Sequence, residues 1–180
     1  QLVVEAKKRF ATDFALDAEY WQYFDVESTP EVVGFLKTNL TDLAGHYHAL
    51  YQEELLVDDQ AANFAEASQW YRQFLTSFPA DEQSPRINYQ LADLLLRLEG
   101  IRWVLCMGVY DEILMLSVRT RLVEGAAQLI RYIVGPQGTA GGHGSLAGGQ
   151  IPLEGEDADQ LVRTVIQRAL YHLEIEADKL

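Results

Sequence analysis

Two apolar runs near the middle of the chain indicate its fold class. Residues 101–109 read IRWVLCMGV and residues 113–119 read ILMLSVR, with the polar break Tyr110-Asp111-Glu112 between them. Two apolar, partly β-branched runs around a short polar break predict a β-hairpin. Because both runs are almost continuously apolar, we expect these strands to be covered on both faces.

Helical patterns flank the predicted hairpin. Apolar residues recur at spacings of three and four in 122–134, in 157–173 and repeatedly between residues 28 and 98, where two helices are expected from Pro30 to about residue 58. Thr29-Pro30 is typical of a helix start, with a hydroxyl cap followed by a proline in the first turn. The sequence therefore predicts a mixed α/β fold, in which a small mixed β-sheet carries helices on its faces and is preceded by a helical segment.

A glycine-rich stretch follows the helix predicted over 122–134. Residues 135–150 read GPQGTAGGHGSLAGGQ and hold seven of the thirteen glycines in the chain. We expect a loop here, before a short extended segment at 151–153, because glycine lets a ligand approach the backbone and successive free N–H groups form a nest for anions. His143 adds a directional donor. A flexible linker is the alternative, but linkers of glycine and serine rarely include His, Leu and Ala.

The string GGHGSLAGG, residues 141–149, resembles the GGHxxxAGG signature of DHHA1 domains. These are the substrate-binding domains of DHH-family phosphoesterases, which include RecJ-like and oligoribonuclease-like enzymes. Upstream, LSVRT at residues 116–120 resembles the S-x-R strand of the same family. The resemblance covers about residues 55–175. It implies that residues 1–54 are a helical linker or the tail of a preceding DHH domain, and that residues 55–180 are a DHHA1-like domain.

The resemblance also implies a set of residues that bind a substrate phosphate. The primary residues are Arg119, Gly141, Gly142, His143, Gly148 and Gly149, and the secondary ones are Ser117, Ser145 and Gln150. In the family, a separate N-terminal DHH domain holds one or two manganese ions on Asp and His side chains, and these ions activate water for hydrolysis. This chain contains no Asp-His-His motif. We therefore expect no catalytic or metal-binding residue in this chain, and manganese only in the full-length enzyme.

The expected function is phosphate or nucleotide recognition within a phosphoesterase that hydrolyses short oligonucleotides or related phosphate substrates. The expected partner is a small phosphorylated substrate or an oligonucleotide end, and a homodimer stays open. The first residue is Gln1 rather than methionine, so the chain is expected either to be a piece of a longer protein or to have a disordered or processed start. One alternative is a nucleotide-binding module without catalysis. Another is a helical interaction module built on residues 28–98.

Composition narrows the choice of function. A net charge of −13 disfavours a broad electrostatic footprint on duplex DNA, although one local positive site can still hold a phosphate. No apolar run approaches the ~20 residues that span a bilayer, so no membrane partner is expected.

The single cysteine, Cys106, cannot form an internal disulfide, which favours a cytoplasmic setting. Because Cys106 lies within an apolar run, we expect it to be a small buried side chain. His46 and His48 diverge on a helix and do not predict a metal site.

Overall fold

The computed structural model describes residues 1–174, and the chain divides into two compact units. The first unit runs from Gln1 to Leu94 and the second begins at Leu95. The last residues of the predicted 55–180 domain, 175–180, lie outside the described residues. No helix within residues 1–174 combines the length and the apolar character needed to cross a bilayer.

The N-terminal unit is helical. It comprises α1 (Leu2–Asp13), a 3₁₀ turn (Glu19–Gln22), α2 (Pro30–Glu53), α3 (Val57–Ser77) and α4 (Ser84–Leu96), whose last two residues lie beyond the unit boundary. Pro30 occupies the first turn of α2 as predicted, but the Thr29 hydroxyl donates to the Asp25 carbonyl and does not cap the helix. The two helices predicted between residue 30 and residue 58 are one helix, because the apolar stripe continues through Leu40 and Leu43 without a break.

Helices α2 and α3 pack along their apolar stripes, and α1 packs against α2. Leu36, Leu40 and Phe74 are completely buried. A polar contact joins the same two helices, since His48 Nδ1 lies 3.1 Å from the Tyr71 hydroxyl. Burial raises the pKa of Tyr71 from its ordinary value of 10.0 to about 12, so this phenol stays protonated at pH values at which an exposed tyrosine ionises.

The C-terminal unit contains a four-stranded sheet. Its strands are β1 (Trp103–Tyr110), β2 (Ile113–Thr120), β3 (Thr139–His143) and β4 (Leu146–Pro152), in the spatial order β1-β2-β4-β3. The β1–β2 hairpin predicted from the two apolar runs is present. Every strand pairing is antiparallel. The mixed α/β class is therefore confirmed, with an antiparallel sheet as its β component.

Two helices complete this unit, α5 (Ala126–Val134) and α6 (Ala158–His172). Helix α5 packs directly on β2, β3 and β4, and α6 packs against α5. Strand side chains that alternate along β2 and β4 point into this core, among them Leu114, Leu116, Val118, Ala147 and Ile151. Within the unit both helices therefore lie on one face of the sheet, whereas the sequence predicted helices on both faces.

The division at Leu94 and Leu95 differs from the boundary predicted at residues 54 and 55. Helix α3 begins at Val57 and packs along α2, so residues 55–94 group with the N-terminal helices. The resemblance to a domain family carries no information about this packing, which depends on the apolar stripes of α2 and α3. The assignment of residues 55–180 as one DHHA1-like domain stays a prediction.

The turn between β1 and β2 is strained. Asp111 and Glu112 both have positive φ, 48° and 58°, which matches the two central positions of a type I′ turn. A residue other than glycine or asparagine loses roughly 1 kcal/mol or more of folding free energy when it adopts a positive φ of this kind.

We expect Glu112→Gly to raise the free energy of unfolding by up to about 1 kcal/mol, because glycine adopts a positive φ without a steric penalty. The Glu112 carbonyl accepts a hydrogen bond from Leu153 N, and glycine keeps that bond. Urea denaturation measures the change. Glu112→Ala is the matched control, since it removes the same carboxylate but keeps the strain. Equal effects of the two substitutions would show that the charge matters and the backbone does not.

Candidate functional site

The glycine-rich stretch forms a β-hairpin, so the loop predicted over 135–149 is wrong. A short 3₁₀ turn, Gly135–Gln137, leads into β3, and the two-residue turn Gly144-Ser145 connects β3 to β4. Gly144 has φ 55°, and a two-residue hairpin turn with glycine first is a common geometry. Most N–H groups of this stretch therefore belong to a strand ladder and do not form an anion nest.

The pairing register shows which side chains share a face. We define the distal face as the face of the sheet opposite α5. Arg119 pairs with Leu146, which in turn pairs with His143, so these three residues form one cross-strand row. Residues paired across an antiparallel sheet point to the same face. Because neighbouring strands lie about 4.8 Å apart, the Cα atoms of Arg119 and His143 are about 10 Å apart on the distal face.

In the next row on the distal face, the residues from β4 and β3 are glycines, so this part of the face has no side chains. Ser117 pairs with Gly148, and Gly148 pairs with Gly141. Both glycines are exposed, and a Cβ added to Gly141 would meet no atom within 4 Å. The result is a shallow depression of about 390 Å³ in which peptide groups form the floor. Its wall side chains come from Met115, Thr139 and Gln150.

Two of the predicted phosphate-binding glycines, Gly142 and Gly149, leave no room for a side chain. A Cβ on Gly149 would come within 2.6 Å of Val134 Cγ2 and within 3.1 Å of Ile130 Cγ1, both on α5. A Cβ on Gly142 would come within 2.4 Å of the Ala147 Cα atom. Gly149 contributes backbone to the floor of the depression, but a Cβ on it would meet α5, and a Cβ on Gly142 would meet β4. These two glycines are therefore required by close packing.

Arg119 is on the distal face, but it is only 7% exposed. It also interacts with other groups of the protein, so its proposed contribution to ligand binding comes from its charge. Its charge nevertheless acts on Cys106, which lies on the same face of the sheet. Burial raises the pKa of the Cys106 thiol to about 11, and the field of Arg119 opposes that rise. Arg119 therefore supplies a positive potential on the distal face, at the opposite end of the row from His143.

Cys106 should react slowly with alkylating reagents. Because its pKa is raised above the ordinary value of 9.0 to about 11, the reactive thiolate is scarce below pH 11. We expect iodoacetamide at pH 8 to modify the native protein roughly a hundredfold more slowly than the urea-unfolded chain, with the native rate still rising between pH 9 and pH 11. Mass spectrometry follows the reaction. A native rate that levels off near pH 8 would contradict the raised pKa.

The remaining predicted residues are divided between the face and the turn. Gln150 and Ser117 lie on the distal face, and His143 at the end of β3 is exposed there. Ser145 lies in the turn, where its carbonyl accepts a hydrogen bond from Thr120 N at 3.0 Å. Within residues 1–174, His, Cys, Asp and Glu side chains form no group of three or more that could hold a metal ion.

Comparison with known proteins adds no relative. No protein-family model, no curated protein and no solved structure matches this chain. The functional interpretation therefore depends on the residues and their geometry.

The hairpin could have been found from its turn. Gly144-Ser145 is one of the dipeptides that join two strands in a two-residue turn. The usual alternation of apolar and polar side chains is missing, since four of the residues in β3 and β4 are glycines. Thr139 and Met115 also line the depression. Their place in the site could not be predicted from the sequence, because their proximity depends on the order of the strands.

Proposed function

We propose that the C-terminal unit binds the phosphate of a small phosphorylated ligand or an oligonucleotide end on the distal face of the β3–β4 hairpin. The single observation that carries this proposal is the row Arg119–Leu146–His143 beside the depression over Gly141 and Gly148. An exposed imidazole can donate to a phosphate oxygen, and bare glycine backbone lets the ligand approach closely.

The distribution of charge supports an anionic ligand. The chain carries 27 acidic residues, yet no Asp or Glu occurs between Gly125 and Leu153. This segment includes α5, β3 and β4, so a phosphate that reaches the hairpin meets no carboxylate from these elements. The buried charge of Arg119, which lies on the same face, adds attraction from the β2 side of the depression. A single positive region of this kind can bind an anion on a protein that is acidic as a whole.

The proposed role of this site is substrate recognition within a DHH-type phosphoesterase. Manganese is proposed only for a DHH domain outside this sequence, because the described residues bring no suitable ligand cluster together. The proposal also includes a cytoplasmic setting. A nucleotide-binding module without catalysis is the second candidate, favoured by the same lack of a ligand cluster. No hydrolytic step is assigned to residues of this chain.

Calorimetry with pyrophosphate and with a 5′-phosphorylated dinucleotide tests the binding proposal. We expect His143→Ala to weaken binding by about 1.5–3 kcal/mol, the cost of losing one charge-assisted hydrogen bond. Gly141→Val should abolish binding, because the new side chain fills the depression without touching the protein. His46→Ala is the matched control, since His46 is an exposed histidine of the N-terminal unit. Binding that survives both site substitutions would overturn the proposal.

The catalytic role needs a separate test. A longer chain that includes a DHH domain should hydrolyse such phosphoesters only with manganese, and His143→Ala should raise its KM. Binding by this chain without hydrolysis by the longer one would favour the binding module. If the helical alternative holds, a partner would bind residues 28–98 and its affinity would not change on replacing His143 and Arg119.

A further inference from the structure

Strand β3 is an open edge of the sheet. It is last in the strand order, and within residues 1–174 it has a neighbouring strand only on its β4 side. Thr139, Gly141, Gly142 and His143 are all exposed. Proteins usually protect such edges with lysine, proline, a bulge or a covering segment. The strand contains no lysine or proline, and its register with β4 is continuous from Thr139 to His143.

The hydrogen-bond phase shows which backbone groups of β3 point away from β4. Thr120 N donates to Ser145 O, and Leu153 N donates to Glu112 O, at the two ends of the β2–β4 ladder. Hydrogen-bonded pairs alternate along an antiparallel ladder, so odd-numbered residues of β4 bond to β2 and even-numbered ones bond to β3. It follows that Ala140 and Gly142 direct their N–H and C=O groups outward from the edge.

This edge is self-complementary. A second β3 placed antiparallel, with Gly141 opposite Gly141, sets each Ala140 opposite a Gly142 of the other copy. Each such pair exchanges two hydrogen bonds, so the arrangement satisfies the outward groups of both strands with four bonds. Thr139 then lies opposite His143 of the second copy, and neither residue is acidic. The segment from Gly125 to Leu153 contains no carboxylate, which limits repulsion between two copies of a chain with net charge −13.

We propose that two copies of this chain associate through β3 and form one continuous eight-stranded antiparallel sheet across a two-fold axis at Gly141. An isologous contact of this kind is the usual basis of a dimer. The two distal faces become continuous, and His143 of one copy lies beside Thr139 of the other. The inference depends on backbone geometry and not on the proposed ligand.

Cysteine cross-linking in a Cys106→Ser background tests the register. Opposed residues in a non-hydrogen-bonded pair have Cα atoms about 4.5 Å apart, within the range that a disulfide spans. We expect Gly141→Cys to form a disulfide-linked dimer as the main product of mild oxidation, since a side chain at this position meets no atom of its own copy. Thr139→Cys alone and His143→Cys alone should cross-link poorly, whereas an equal mixture of the two should give the mixed dimer.

Controls separate specific pairing from random oxidation. His46→Cys, exposed in the N-terminal unit, should give no disulfide-linked dimer. Sedimentation of the unmodified chain in phosphate-free buffer should show a concentration-dependent dimer. Ala140→Pro should weaken that dimer roughly tenfold or more, because it removes an outward N–H without touching the β4 ladder, and its circular dichroism should stay native.

A monomer at all concentrations, or equal cross-linking at all single positions, would overturn the inference. His143→Ala distinguishes it from the proposed function, since this substitution removes the proposed ligand contact but leaves the backbone edge intact. A dimer that persists in His143→Ala while phosphate binding is absent from every variant would support the edge contact and reject the ligand.

Discussion

Gly142→Ala is expected to lower the free energy of unfolding of the C-terminal unit by about 3 kcal/mol. The added methyl group would lie 2.4 Å from the Ala147 Cα atom and 2.5 Å from the Leu146 carbonyl oxygen. Both of these atoms belong to the backbone of β4, so relief requires the hairpin to open. The φ of Gly142, 157°, is also rarely adopted by residues with a side chain. Hydrogen exchange of the β2 amides in increasing urea measures the change.

Gly141→Ala is the matched control for this prediction. It replaces the adjacent glycine of the same strand, but its methyl group enters open space on the distal face. We expect its stability to stay within about 0.5 kcal/mol of the native protein, the usual range for a surface substitution. Similar losses from both substitutions would mean that the two faces of β3 do not differ as described.

Gly149→Ala and Val134→Ala are expected to compensate each other. The methyl group of Gly149→Ala would lie 2.6 Å from Val134 Cγ2, so this overpacking alone should cost about 2 kcal/mol. Val134 is 1% exposed, and truncating it alone should cost about 2 kcal/mol through the cavity that it leaves. In the double variant the new methyl group enters that cavity. We therefore expect it to lose about 2 kcal/mol less than the sum of the single losses.

A double-mutant cycle measured by urea denaturation gives the coupling directly. Gly148→Ala with Val134→Ala is the control pair, because Gly148 faces the other side of the sheet and a Cβ there meets only the Leu116 carbonyl oxygen, at 3.6 Å. That pair should be additive within about 0.5 kcal/mol. Additive losses for Gly149 and Val134 would contradict the packing of α5 against β4.

Segments with periodic apolar residues could be predicted from the sequence. The apolar stripes of the helices follow from spacings of three and four residues, which report directly on the face that each helix buries. The β1–β2 hairpin follows from two short apolar runs around a polar break. The hairpin at 139–152 could not be predicted in the same way, because glycine has no side chain to mark a buried face and is uncommon in strands. The division between Leu94 and Leu95 could not be predicted from periodicity either, since it depends on the packing of α2 against α3.

For the candidate site, local sequence identified the chemistry and three-dimensional pairing set the geometry. A histidine within a cluster of glycines indicated an anion site before any fold was considered, and Arg119 was added only by the resemblance to the DHHA1 signature. Whether Arg119 and His143 share a face depends on the register of β2, β4 and β3, which joins residues far apart in the chain. Which glycines stay open and which pack also depends on where α5 lies, because a missing side chain leaves space for a ligand on one face and for a helix on the other.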